Sequence, residues 1–278
     1  MAQHQLALNG NDLTTTNPPL RLAIAQQAMY WTTDENTERI VASLDVSAQQ
    51  GAQLCLFPEL ALTGFHRRIR EQAKPEVVQP ALQRVRDACR DAGIAAMLGL
   101  PTFASGGAVL NSYTFIGSDG EPGSTVHKNG LTAAELTFLA AGTERPVMRF
   151  AERSCTTVMC REIEDVDAIA AQLADEPVQL IFWPSIVGHP PGTIAEPERE
   201  VQDLGYRERA GTFARRFGAH LVQCNWPHAL NSPEQRYQGE SKAYAPSGEV
   251  LLTLPRDEAG IGVFTLGERD YHWTPLAA

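Results

Sequence analysis

Short apolar runs alternate with longer amphipathic stretches along most of this 278-residue chain, and that alternation narrows its possible folds more than any other feature. A run of five to eight apolar residues between turn signals reads as a buried strand, and a longer stretch with helical spacing reads as a helix. "LRLAIAQQ" (residues 20–27) is such a strand. "TDENTERIVASLDVSAQQGA" is a helix with acids in its first turn and Gly51 near its stop. "QLCLF" follows as a strand ended by Pro58, residues 77–92 as a second helix, and "GIAAMLGL" as a third strand. "VLNSYTFIGSDGEPGSTVHK" breaks the alternation, because it reads as two strands around an Asp119-Gly120 turn.

The second half repeats the order. A strand runs to Cys160, a helix to about Ala174, then come strand "VQLIFWP", a long helix ending at "RRFGAH", and strand "LVQCN". "SKAYAPSGEVLLTL" and "GIGVFTL" read as a hairpin with Pro246-Ser247-Gly248 at its turn. Tyr206, Ala210, Phe213 and Phe217 recur at helical spacing and are expected to face the core. Both halves pass from strand–helix units into antiparallel hairpins. The fold expected is therefore α/β: two sheets, each covered by helices on one face, stacked as a sandwich. No linker marks a boundary, so one domain over residues 20–278 is expected, preceded by a flexible polar tail over 1–19.

Composition limits the partners. Acids outnumber bases 33 to 23, giving a net charge of -10, and there is no basic stripe. That disfavours nucleic acid and anionic membranes and favours a small-molecule substrate. No window approaches the roughly 20 apolar residues of a membrane span, and the first 19 residues lack the basic-then-apolar order of a signal peptide. A cytoplasmic location is expected. The five cysteines form no C-x-x-C pair, so neither a zinc site nor a disulfide framework is implied, and Cys55, Cys89, Cys155 and Cys224 read as small buried hydrophobes.

Cys160 is different. It ends the apolar run "CTTVMC" where the charged segment "REIEDVDAIAAQL" begins, a placement suited to a nucleophile. Glu59, in "AQLCLFPELALTGF", stands directly after an apolar strand, where burial raises a carboxylate toward the range of a general base. Lys128, in "GSTVHKNGLTAAELTFLAAG", also ends a strand, and in a dry cleft its ammonium would meet a developing oxyanion and help keep a nearby thiol ionised. Carboxylate, ammonium and thiol thus stand at the C-terminal ends of three expected strands, where ligands gather in sheet-based folds.

With these motifs in hand, the chain resembles the nitrilase superfamily of carbon–nitrogen hydrolases over about residues 20–266. The resemblance rests on "GAQLCLFPELALTGF", "HKNGLTAAELTFLAAG", "TTVMCREIED", "QCNWP" at Asn225 and "GESKAYAPSGEVL", in family order. It implies an αββα subunit pairing into a four-layer αββα–αββα dimer or a larger homo-oligomer, and a triad of Glu59, Lys128 and Cys160. It also implies a second acid after the lysine, a role that falls on Glu135. The implied chemistry is acyl transfer through a thioester, without metal, nucleotide or organic cofactor.

Nitrile-cleaving members tend to follow the cysteine with Trp-Glu, whereas here Arg161 and Glu162 stand. Amide or carbamoyl substrates are therefore favoured over nitriles. Trp183, Ser185 and His189 border the segment expected to shape specificity, and Arg161 is a candidate ligand for a substrate carboxylate, while an acidic rim would instead favour a cationic amine. Two rival readings remain: a non-catalytic scaffold on the same fold, and an unrelated thiol enzyme with His127, His189, His220 or His228 as base.

Overall fold

A computed structural model describes residues 17–174, 176–187, 196–231 and 239–276. Residues 1–16 of the expected tail, and His189, lie outside the described residues. Strand β1 (Arg21–Gln26), helix α1 (Thr33–Gln49) and strand β2 (Leu54–Leu56) form the opening unit. A single turn α2 (Ile69–Gln72) and helix α3 (Pro75–Ala92) lead to β3 (Ala95–Phe103), β4 (Val109–Ile116) and β5 (Pro122–His127). The second half contains β6 (Met148–Phe150), β7 (Arg153–Thr157), α4 (Val166–Gln172), β8 (Leu180–Ser185), α5 (Glu196–Phe217) and β9 (His220–Asn225). Strands β10 (Lys242–Tyr244), β11 (Val250–Thr253), β12 (Gly260–Thr265) and β13 (Tyr271–Pro275) follow.

Helix boundaries have local causes. Thr32 caps α1 by accepting from the Glu35 N–H while the Glu35 carboxylate accepts from the Thr32 N–H. Helix α3 opens two residues earlier than the spacing predicts, with Pro75 at its first position, where the missing N–H is harmless, and stops at Gly93 in the left-handed conformation.

Two sheets result. One runs β13-β12-β1-β2-β3-β4-β5 and the other β11-β10-β9-β8-β7-β6. Their centres are parallel (β1–β2–β3 and β7–β8–β9), because helices return the chain there, and their flanks are antiparallel. Period-two alternation divides each strand between two cores. Ala23 and Ala25 of β1 pack toward α1 and α3, with Ile40, Leu44, Val85 and Cys89. Leu22 and Ile24 face the other sheet and meet Leu180, Phe182 and Val222. On the far side, Ile181 and Trp183 of β8 pack against Ala210 and Phe213 of α5, with Tyr206 and Phe217 at the edge of the cluster. The layers are therefore helix, sheet, sheet, helix.

Three features depart from the sequence reading. The hairpin turning at Pro246-Ser247-Gly248 joins β10 and β11, but "GIGVFTL" forms β12 outside it: it crosses to the first sheet and pairs antiparallel with β1, Arg21 opposite Thr265 through Gln26 opposite Gly260. Strands β6 and β13 were not expected, since three residues of "MRF" and the polar "YHWTP" carry no clear alternation, and both are edge strands defined by their neighbours. The strand before Cys160 ends at Thr157, and the following helix is split into a 3-10 turn over Cys160–Glu164 and the short α4. Cys160 has φ +46°, which neither strand nor α-helix accommodates.

Gly99 on β3 sets the turn that carries Glu59. Its carbonyl accepts from the Leu62 N–H at 3.0 Å, and a Cβ there would lie 2.4 Å from the Pro58 carbonyl oxygen and 2.5 Å from the Leu60 nitrogen. Backbone is what it would strike, so nothing soft can give way. Gly99→Ala is expected to destabilise the protein by about 2 kcal/mol, read as a lower urea midpoint at unchanged slope.

Candidate functional site

The three residues singled out as chemical come together from both sheets. Glu59 follows β2, in a turn where Pro58 ends the ladder and Leu60 adopts φ +53°. Lys128 follows β5, its N–H donating to the Asn111 carbonyl at 2.8 Å. Lys128 Nζ donates to Glu59 Oε1 at 2.7 Å and to Glu135 Oε1 at 2.6 Å. All three side chains are buried. Asn111 Nδ2 donates to Glu59 Oε1 at 2.8 Å, and the Thr132 N–H donates to Glu135 Oε2 at 2.8 Å. Among the described residues, Glu59 Oε2 has no hydrogen-bond partner. A buried carboxylate oxygen left open in this way is available to an incoming proton.

Two carboxylates and one ammonium sum to a negative charge in a dry site. Burial first, and the Glu135 charge after it, raise the Glu59 pKa above its ordinary 4.5, with Lys128 pulling the other way. Burial works against the Lys128 charge, but the charges of Glu59 and Glu135, with the Glu135 hydrogen bond, outweigh it and hold Lys128 protonated. The Cys160 thiol is pushed up to about 12, by burial first and by the Glu59 charge next, with Lys128 opposing. Burial first, and then the Glu59 charge, thus outweigh the pull of Lys128, and the thiol holds its proton at rest.

Cys160 is partly accessible, and its Sγ lies 4.0 Å from the Ile186 carbonyl oxygen. The indole N–H of buried Trp183 donates to the Cys160 carbonyl at 2.9 Å, fixing the left-handed residue in place. Glu162, buried in the same turn, accepts from the N–H groups of Met159 (2.8 Å), Asn129 (2.7 Å) and Gly130 (3.0 Å), and from Arg145 Nη2 (3.0 Å). One carboxylate therefore ties the cysteine turn to the loop after Lys128. Burial pushes its pKa up, but Arg145 and the hydrogen bonds prevail and hold it below 4.5.

The remaining candidates are placed as follows. Arg161 grips Asp165 through both guanidinium nitrogens, at 2.9 and 3.1 Å, and lies against Gly130. Ser185 is buried between Gln223 and Asn225. Asn225 receives the Val187 N–H at 2.9 Å and donates to the Val187 carbonyl at 3.0 Å, so it holds the backbone beside Ile186. Trp226 donates to the Glu59 carbonyl at 2.9 Å. Sequence reasoning did not assign Asn111, Arg145 or Trp226. Asn111 had a faint signal, a polar residue within the apolar run "VLNSYTF"; Arg145 had none, since its partner lies 17 positions away. Among the described residues, no group of three or more His, Cys, Asp or Glu could hold a metal ion, and no helix is long and apolar enough to cross a membrane.

A model of the carbon-nitrogen hydrolase family matches residues 21–269. The chain belongs to the carbon–nitrogen hydrolase family. Its motifs around Glu59, Lys128 and Cys160 all fall inside that match, consistent with the nitrilase-superfamily resemblance. Two proteins named as hydrolases, from the CDC 1551 / Oshkosh and H37Rv strains of Mycobacterium tuberculosis, are each 27% identical to this carbon–nitrogen hydrolase over 245 residues, 84% of this chain and 85% of theirs. Among solved structures, a mutant of the nitrilase-superfamily amidase from Nesterenkonia AN1 superposes with a TM-score of 0.75 at 24% identity, covering 89% of this chain and 90% of that one. Another structure of an amidase from Nesterenkonia sp. gives 0.74 at 25%, covering 91% of each chain.

Because Glu162 joins the two catalytic-candidate segments of this carbon–nitrogen hydrolase, its loss should be felt as stability. Glu162→Gln leaves Arg145 buried without a counter-charge, and the expected loss at pH 7 is about 3 kcal/mol. A carboxylate whose folded pKa is depressed contributes stability above its unfolded pKa and loses it as pH falls through the folded value. The gap between wild type and Glu162→Gln in urea unfolding should therefore narrow from pH 7 to pH 4. An equal gap at both would contradict the assignment.

Proposed function

We propose that this protein is a cysteine-dependent amidase or carbamoyl-amide hydrolase, with Cys160 as nucleophile, Glu59 as general base and acid, Lys128 as oxyanion ligand and Glu135 as the group that positions Lys128 and water. The observation that carries this reading is the buried Glu59–Lys128–Glu135 chain of charges acting on a thiol that is neutral at rest. A neutral thiol needs a base at the moment of attack. Glu59 has a free oxygen, and its raised pKa suits it to take the proton.

In this mechanism Cys160 Sγ bonds to the carbonyl carbon while its proton passes to Glu59. The carbonyl oxygen gains charge, which the Lys128 ammonium meets together with the backbone N–H of Arg161, at the opening of a 3-10 turn where N–H groups have no partner within the turn. Collapse breaks the carbon–nitrogen bond, Glu59 returns the proton to nitrogen, and ammonia or an amine leaves. Water then gives a proton to Glu59 and adds to the thioester. Breaking the carbon–sulfur bond releases the acid and restores the thiol.

Amides are favoured over nitriles because Arg161 follows the cysteine where nitrile-cleaving members tend to carry Trp. In a mutant of the similar amidase from Nesterenkonia sp. AN1 the active-site cysteine takes covalent addition of the acetamide moiety of fluoroacetamide, which supports a nucleophilic role for Cys160. Assembly as a homodimer, with the four layers of one subunit stacked on those of its partner, belongs to the same reading, and light scattering should give at least twice the mass of the 30.3 kDa chain.

Cys160→Ala should abolish ammonia release from a panel of amides and carbamoyl amines, and intact-mass spectrometry should find an acyl adduct on the wild type that this variant lacks. Ammonia release by Cys160→Ala at the wild-type rate would overturn the reading. Glu59→Gln should lower kcat by roughly 100- to 10,000-fold. Since the base form of Glu59 is needed, the acidic limb of kcat/KM should fall at a pH above the ordinary glutamate value of 4.5.

A further inference from the structure

Beside the site lies an open cleft of about 630 Å³. Three of its borders stand close to the residues described above. Ile186, whose carbonyl is 4.0 Å from the Cys160 thiol, forms part of its wall. Thr137 stands in the 3-10 turn that begins at Glu135, and Phe65 stands six residues beyond Glu59. A substrate whose reacting carbonyl sits at Cys160 would extend its acyl group into this space.

The cleft's lining specifies what that acyl group is. Phe65, Ile69, Phe138 and Ile186 give it an apolar and aromatic wall. Its charged groups are Arg67 and Arg70, and no acidic side chain lines it among the described residues. That is unexpected in a chain with 33 acids and 23 bases. Neighbouring Arg68 pairs with Glu71 at 2.8 Å, whereas Arg67 and Arg70 have no carboxylate within ion-pair distance among the described residues. Each is held instead by an aromatic face: Arg67 lies 5.4 Å from the Trp31 ring centre and Arg70 5.5 Å from that of Phe138. Arg70 Nη2 also donates to the Thr137 carbonyl at 2.8 Å and hydroxyl at 3.1 Å, leaving its other nitrogens open. His66, in the same wall, is buried and neutral, its pKa lowered first by burial and then by the charge of Arg68. Arg161, the other guanidinium near the thiol, is committed to Asp165.

We infer that the cleft selects amides whose acyl part has an apolar or aromatic body and ends in a carboxylate, received by Arg67 and Arg70. Two guanidiniums fixed on aromatic rings, without acid partners, form a fork for a planar anion. The inference rests on the amidase reading for which end of the substrate reacts. The cleft itself can be tested without turnover.

The test uses 4-(carbamoylmethyl)benzoate and its uncharged counterpart 2-(4-methylphenyl)acetamide. For wild type, kcat/KM for ammonia release should favour the carboxylate amide by roughly 10-fold or more. In Arg67→Gln/Arg70→Gln that ratio should collapse by roughly 10- to 100-fold, with the change in KM rather than kcat. Both positions are exposed, so the fold should survive, and each single variant should give part of the effect. In parallel, calorimetry on Cys160→Ala should find the carboxylate amide binding more tightly than the neutral one, and the added Arg67→Gln and Arg70→Gln changes should remove the difference. Arginine-dependent binding without turnover by wild type would uphold the cleft and sink the amidase reading alone. No preference for the carboxylate in either assay, or a preference untouched by both arginine changes, overturns the inference.

Discussion

The site depends on keeping one ammonium charged where there is almost no water. Lys128 is 1% exposed, and an isolated buried ammonium would shed its proton. Two carboxylates at 2.6 and 2.7 Å prevent that, but they leave the cluster with an excess negative charge. Burial raises Glu59 against the pull of Lys128 and, with the Glu59 charge, holds the Cys160 thiol neutral. A buried ion cluster of this kind is weak support for stability, because removing its groups from water offsets most of their attraction. Its value lies in the proton balance it imposes: a thiol, a carboxylate and an ammonium whose charge states are set by one another.

Holding such a cluster requires rigid parts from both sheets. Glu59 and Lys128 come from the seven-stranded sheet and Cys160 follows the first parallel strand of the other. The sheets are fastened to each other near these residues by Trp226, just beyond β9, which donates to the Glu59 carbonyl; within the first sheet, Tyr113 of β4 donates to the Phe57 carbonyl at 2.7 Å and steadies the same turn. Glu162 then joins the cysteine turn to the loop after Lys128 through four donors. Gly99 supplies the remaining constraint, since only a residue without a Cβ lets β3 lie against the turn at Pro58–Leu60.

What the sequence made legible follows from which signals are local. Strand–helix alternation is local, and so the two sheets, their covering helices and the core face of α5 at Ala210 and Phe213 could be read from it. Sheet membership is not local: "GIGVFTL" reads as a strand wherever it pairs, and its place beside β1 depends on residues more than 200 positions away. In the site, Glu59, Lys128 and Cys160 each announced themselves by ending an apolar run. Glu162 looked like an ordinary first-turn acid, because its role comes from Arg145 and from two backbone N–H groups in a distant loop. Ser185 and Trp183 stand in a segment that the sequence places near the pocket, yet their polar atoms hold backbone and neighbouring amides in place.

Arg161 shows how a local reading can mislead about recognition. Immediately after the cysteine, a guanidinium looks placed to meet a substrate carboxylate. Its fork is closed by Asp165, four residues on, and it packs over Gly130, where a Cβ would come within 2.9 Å of Nη1. It thereby becomes part of the frame that sets the cysteine turn. Arg67 and Arg70 are the converse case: nothing near them in sequence marks them, Arg67 standing just before the single turn α2 and Arg70 within it. What distinguishes them is an absence of acid partners among the described residues, beside an apolar cleft in an acidic protein, which only the folded arrangement can reveal. Charge placed near the nucleophile in sequence is used for structure, and charge left unpaired in space is what remains for a ligand.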